Sequence, residues 1–179
     1  MKWNLDTTHS TAAFAVKHLM ISTVRGRFKK LTGSGETDEN GVLKSVEMVI
    51  DAPSIDTNEP KRDDHLRSAD FLDVANHPTI TFRSTTIRQN GRDITITGNL
   101  TIRGVTRPVT LMGEVTAPVA DPWGTTRAGL EVSTKISRKE WGLLWNTLLE
   151  TGGFAVGDEV KIFVEVEAVA VSEQALAAA

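Results

Sequence analysis

Residues 93–103 read Asp93-Ile94-Thr95-Ile96-Thr97-Gly98-Asn99-Leu100-Thr101-Ile102-Arg103 and alternate in polarity without a break. In an extended chain successive side chains point to opposite faces, so Ile94, Ile96, Gly98, Leu100 and Ile102 share one face. Thr95, Thr97, Asn99, Thr101 and Arg103 share the other, which makes a strand with one dry side and one wet side. The same rhythm recurs upstream at Phe14, Val16, His18; at Val24, Gly26, Phe28; at Val46, Met48, Ile50; and at Ile80, Phe82. Downstream it recurs at Val109, Leu111, Gly113, Val115; at Leu130, Val132, Thr134, Ile136; and at Val160, Ile162, Val164, Val166, Ala168. That makes eight strands, and period two outweighs the 3.6-residue spacing of helices.

Turn-forming residues punctuate the strands at Glu39-Asn40-Gly41, Gln89-Asn90-Gly91-Arg92, Gly104-Val105 and Asp121-Pro122-Trp123-Gly124. Short links imply antiparallel neighbours. Eight such strands fit a sandwich or a barrel, and closure into a barrel removes exposed edges, so the expected fold is all-β, an eight-stranded antiparallel β-barrel. A strand of about eleven residues at roughly 3.3 Å per residue, tilted by about 40°, gives a barrel about 28 Å tall.

Two connections exceed what a hairpin needs, residues 52–78 and 138–158, and these are expected to carry short helical segments and lids. In the first, Asp56-Thr57-Asn58 before Pro60 is a capping context, and Arg62, His65, Leu66, Ala69 and Leu72 would share a helix face turned to the barrel. Asp63 and Asp64 would project outward into solvent. In the second, Ser137-Arg138-Lys139-Glu140 reads as a capping box leading into Trp141, Leu144, Trp145 and Leu148 at helical spacing, cut short by Gly142 and Gly152-Gly153.

The chain has 179 residues, room for one ordinary domain, assigned here to 1–172 with 173–179 as a frayed tail. With 20 Lys plus Arg against 23 Asp plus Glu, the net charge of −3 argues against nucleic acid as a partner. No Cys is present, which excludes disulfides, thiolate metal sites and thiol nucleophiles. The N-terminal residues lack the apolar core and cleavage site of a secretory signal, giving an expectation of a cytoplasmic protein. No apolar run approaches the roughly 20 residues of a membrane-spanning helix, so no stable membrane insertion is expected.

Several segments in order resemble the YceI-like family of polyisoprenoid-binding proteins. They are Leu5-Asp6 with His9-Ser10 and Phe14; His18-Leu19; Gly26 and Phe28; Arg62-Asp63-Asp64-His65-Leu66 with Asp70-Phe71; and His77-Pro78 with Ile80-Thr81-Phe82 and Ser84. The run from Gly98 to Val109 looks like the family's central signature, and Arg138 and Gly142 match its late motif, with Trp141 where that motif often has Phe. The resemblance implies a lipocalin-like barrel holding a long isoprenoid or similar amphiphile, no further cofactor, and a homodimer. Many members are secreted, so the absence of a signal sequence is a departure, and a periplasmic role is not carried over.

The inward faces fit either a filled core or a cavity. Gly26, Gly98 and Gly113 on the inward register favour space, as does the chain length, and the resemblance points the same way. The expected ligand wall is Phe14, Val16, Phe28, Met48, Ile50, Phe82, Leu100, Leu111, Ile162 and Val164, with Leu66 and Trp141 on lids. His18 reads either as a satisfied core histidine or as a head-group contact at a mouth. Arg62 and His65 read either as latches binding loop carbonyls or as donors to a phosphate or quinone-type head. His9 and His77 are assigned no chemistry. The alternative function is a metal-dependent hydrolase assembled from His18, His65 and Asp63, since no H-E-x-x-H or G-x-S-x-G motif is present. A third reading is a structural or protein-interaction role, for which the mixed-sign surface offers no specific patch.

Overall fold

The computed structural model describes residues 1–150 and 152–171. The expected tail at 173–179 lies outside the described residues. The strands are β1 (Lys2–Leu5), β2 (Thr11–His18), β3 (Ser22–Phe28), β4 (Leu31–Thr37), β5 (Leu43–Asp51) and β6 (Ile55–Asp56). They continue with β7 (Thr79–Asn90), β8 (Asp93–Ile102), β9 (Val105–Ala120), β10 (Thr126–Ser137) and β11 (Val156–Ala170). One α-helix, α1 (Pro60–Arg67), and two short 3₁₀ turns, Ala52–Ser54 and Arg138–Trp141, complete the elements among the described residues.

These strands make eight staves. β1 and β2 lie end to end along β11, with Trp3 opposite Ala170 and Phe14 opposite Ile162. β3 and β4 continue one another in the same way, β3 against β2 and β4 against β1, and β5 and β6 form the third stave. The remaining staves are β7 to β11, each antiparallel to the one before it. Because β1 pairs with both β4 and β11, the ring closes, as the eight alternating segments imply.

The breaks inside staves are stitched by side chains, which is why pairing survives them. At Asp6–Ser10 the Ser10 hydroxyl accepts from the Glu167 N–H at 3.1 Å, and the Asp6 N–H donates to the Glu167 carbonyl at 2.8 Å. Between β3 and β4, the Ser54 hydroxyl donates to the Asp51 carbonyl at 2.6 Å and accepts from the Lys30 N–H at 3.1 Å. Buried backbone groups thus stay paired where the ladder lapses.

The helical connections differ from expectation. Glu59, not the Asp56–Asn58 segment, caps α1 by accepting from the Lys61 N–H at 3.4 Å. The helix ends at Arg67 because Ser68 turns back, its hydroxyl donating to the His65 carbonyl at 2.7 Å, so Phe71 and Leu72 reach the barrel from the following turn. Among the described residues of the second connection only Arg138–Trp141 is helical, and Ser137 does not cap it. The Arg138 guanidinium binds the carbonyls of Leu143 and Trp145, which a continuing helix would use for its own ladder. Leu144 and Leu148 are consequently exposed. No helix among the described residues is long and apolar enough to cross a membrane.

Candidate functional site

Inside the ring, apolar residues gather in two clusters. One, at the end carrying α1 and the Arg138–Trp141 turn, is centred on Ile55, Leu72, Ile80, Leu100, Ile136 and Trp141. The other lies on Ile94, Ile96, Leu111 and Val132. The clusters do not fill the barrel: a largely apolar cavity of about 630 Å³ runs along it. Phe14, Val16, Phe28, Met48, Ile50, Phe82, Ile162 and Val164 line this space and remain partly exposed although they face inward. In a close-packed core they would be buried. The volume falls within the roughly 300–1,000 Å³ of small-molecule sites.

One end of the cavity is closed and the other is open. Buried Phe71, Leu72 and Trp141, with Leu66 and Leu143, plug the lid end. Trp141 is 1% exposed, and its indole N–H donates to the Leu100 carbonyl at 3.1 Å, so it is pinned in place. The opposite rim is made of exposed Asn40, Gly41, Gly91, Arg92, Ala117 and Pro118.

Of the fifteen residues expected at the site, twelve line the cavity: the eight named above together with Leu66, Leu100, Leu111 and Trp141. His18, Arg62 and His65 do not. His18 has the inward parity of Phe14 and Val16, but it ends β2 and stands exposed beside the left-handed residues Leu19 and Met20. Arg62 is spent on the loop before α1, donating from Nε to the Thr57 hydroxyl at 2.8 Å and from Nη2 to the Thr57 carbonyl at 2.9 Å. His65 Nε2 is 2.9 Å from Asp70 Oδ2, and the ring meets Phe71 and Trp145 edge-on.

Two expectations about the interior are corrected. Gly26 and Gly98 do not leave space, because the rings of Phe14 and Phe82 lie over them; a Cβ at either position would sit 2.4 Å from a ring carbon. At Gly113 the constraint is backbone, since a Cβ would fall 1.8 Å from the Glu131 carbonyl oxygen. These three glycines therefore do not account for the cavity. Asp63, expected in solvent, is 6% exposed and accepts from both the N–H and the hydroxyl of Thr57.

Among the described residues, His18, His65 and Asp63, the residues of the hydrolase reading, do not bring their ligand atoms together. The ligand atoms that do approach one another among the described residues are those of Asp6, His9 and Glu167, within 4.8 Å. Arg127 already binds there, donating to Asp6 Oδ2 at 2.8 Å, to Glu167 Oε1, and from Nε to Asp121 Oδ2 at 2.8 Å. Hydrogen bonds from His9, the Thr8 N–H and Arg127 hold the Asp6 carboxyl far below its usual range. Asp121 is lowered likewise by Thr125 and Arg127, and these acceptors hold Arg127 firmly protonated.

Arg138 is the residue that sequence reasoning left out of the site. It is 4% exposed, borders the lid end of the cavity, and binds four backbone carbonyls: Gly157 at 2.9 Å, Leu143, Trp145 at 3.0 Å and Val156 at 3.4 Å. Burial pushes its pKa down, opposed by the field of Asp158, and a guanidinium stays charged at neutral pH nonetheless.

A family model described as YceI-like domain matches residues 3–168. A UPF0312 protein of Enterobacter sp. (strain 638) is 43% identical over 169 residues, covering 94% of this chain and 85% of that protein. The crystal structure of Burkholderia cenocepacia BcnA superposes with a TM-score of 0.77 at 26% identity, over 93% of this chain and 99% of that one. A polyisoprenoid binding domain from Saccharophagus degradans, implicated in plant cell wall breakdown, shares the fold with a TM-score of 0.69 at 16% identity, over 94% of this chain and 98% of that one.

Proposed function

The chain belongs to the YceI-like family, and from that premise we propose that its barrel binds a long-chain isoprenoid or similar amphiphilic lipid and carries or stores it without transforming it. The observation that carries this reading is the apolar cavity of about 630 Å³, plugged at one end and open at the other. A lipid tail there lies against Phe14, Val16, Phe28, Met48, Ile50, Phe82, Leu100, Leu111, Ile162 and Val164, with Leu66 and Trp141 across its far end. Burying a few hundred Å² of tail at roughly 25 cal/mol per Å² is favourable by several kcal/mol, before the cost of association is subtracted. The polyisoprenoid binding domain that shares the fold motivates the choice of tail. The separation of His18, His65 and Asp63 favours binding over metal-dependent hydrolysis.

Extraction of the purified protein followed by mass spectrometry should release a long-chain lipid in near-stoichiometric amount, and titration with prenyl compounds should saturate at one site. Protein that carries no lipid and binds none of them would overturn the reading. We propose further that the protein is a homodimer, as the resemblance implies. Sedimentation giving the monomer mass across micromolar concentrations would refute that.

A further inference from the structure

A cation buried at the plugged end of an apolar cavity needs an explanation of its own. The hydrogen-bond partners of Arg138 are all neutral carbonyls among the described residues. A guanidinium has five N–H donors. Nε, both of Nη1 and one of Nη2 are engaged, which leaves one Nη2 N–H without a partner among the described residues. Carbonyl dipoles solvate the charge, and Asp158, whose field reaches it, already accepts from the Ser137 hydroxyl at 2.7 Å and the Lys139 N–H at 3.3 Å; neither contact cancels the charge, and in surroundings of low polarity its field falls off slowly. Arg92 and Glu47 also border the cavity, but both are exposed and paired, with Glu114 and Arg83. Arg138 is thus the one buried charge on the wall among the described residues.

Building on the lipid-binding reading, we propose that Arg138 makes the closed end a receptor for an acidic head group, a phosphate or a carboxylate, so that cargo lies head inward with its tail toward the open rim. An anion entering an apolar chamber loses its hydration, and beside Arg138 it recovers a charge-assisted hydrogen bond. A neutral alcohol gains less there. The same guanidinium staples the segment of Leu143 and Trp145 to the start of β11, so the plug and the receptor are one device.

Titration calorimetry with geranylgeranyl phosphate, a long-chain fatty acid and geranylgeraniol tests this. The phosphate is expected to bind about tenfold or more tighter than the alcohol, the scale of one charge-assisted hydrogen bond. Tight binding of the fatty acid but not the prenyl phosphate would keep the acidic head and replace the tail class. In R138K and R138M the preference for phosphate over alcohol should fall toward unity. Should these variants fail to fold, the Arg138 Nε–H resonance of the wild-type protein decides: it should shift on adding the phosphate and not the alcohol. Equal affinities for phosphate and alcohol, a preference that survives in folded R138M, or an unmoved resonance would overturn the proposal while leaving the lipid-binding reading intact. If none of the three compounds binds, the lipid-binding reading falls first, and this proposal with it.

Discussion

Asp63 holds Thr57 twice: its Oδ1 accepts the Thr57 backbone N–H at 2.9 Å and the Thr57 hydroxyl at 2.6 Å. The same hydroxyl accepts from Arg62 Nε at 2.8 Å, so a neutral oxygen links a cation to an anion across the first turn of α1. Both Asp63 and Thr57 are buried, at 6% and 4% exposure. The helix is therefore fixed to the chain entering it by a polar link, while its last turn is fixed to the barrel by Arg67, which donates to the Pro53 and Ile55 carbonyls at 2.9 Å each.

Replacing Asp63 by Ala strands two buried donors of Thr57. Such groups cost about 1–3 kcal/mol when left unpaired, so the urea midpoint of D63A should fall accordingly. D63N keeps one acceptor oxygen and loses the charge, and its midpoint should lie between the two. A wild-type midpoint for D63A would return Asp63 to the solvated role that its place in the sequence implies.

The glycines of the inner face should separate by what they meet. In G113A the new methyl meets the Glu131 carbonyl, which belongs to the neighbouring strand and cannot move without disturbing β10. In G26A it meets the Phe14 ring and the Thr57 methyl, which are side chains and can shift. Overpacking typically costs about 1–3 kcal/mol, and G113A should lie at or above the top of that range with G26A below it. Equal thermal melting of the two variants would refute the distinction.

Where the polar and apolar residues alternate, the barrel was legible: β8 runs as Asp93–Arg103 implies, with Ile94 at 3% and Ile96 at 0% exposure. The alternation failed where the inward residues are not apolar. In β4 the inward positions after Leu31 include Gly33 and Gly35, which carry no hydropathy signal, and the strand went unread. In β7 a bulge between Ser84 and Thr86 shifts the phase, so Ile87 follows Phe82 inward out of step. Twelve wall positions followed from parity and helix projection because a strand's geometry is local. The role of Arg138 did not, because its partners Val156 and Gly157 arrive from the next strand, and that approach exists only after β10 and β11 have paired.

His9 should make stability depend on pH. Its Nδ1 is 3.0 Å from Asp6 Oδ2, and that hydrogen bond, then the charges of Asp6 and Glu167, raise its pKa above 6.5 in the folded protein. A raised folded-state pKa means the native state binds the proton more tightly than the unfolded chain. Its contribution is therefore complete below about pH 6.5 and is lost as pH rises through the elevated value. The side chain is well exposed, so the effect is small and weakens with salt. The melting temperature of wild type should exceed that of H9N most at about pH 6 and converge with it by about pH 9. A difference that grows with pH would contradict the assignment.

Met48 and Leu100 should respond differently to a buried charge, although both point inward from mid-strand. Both border the cavity, but Met48 keeps partial exposure, whereas Leu100 is 8% exposed, packs in the cluster around Trp141 and supplies the carbonyl that pins its indole. In M48E the carboxylate borders hollow space, where it can take up a proton or draw in water, so the fold survives while an apolar tail meets a polar obstacle. In L100E the same group is forced among packed side chains at a cost of several kcal/mol. Thermal melting beside a titration with geranylgeraniol, which carries no acidic head, separates the cases. M48E should lose most of its affinity with a modest drop in melting temperature, and L100E should melt far lower or fail to fold. If M48E unfolds as readily as L100E, the barrel interior behaves as a filled core and the lipid-binding reading loses its chamber.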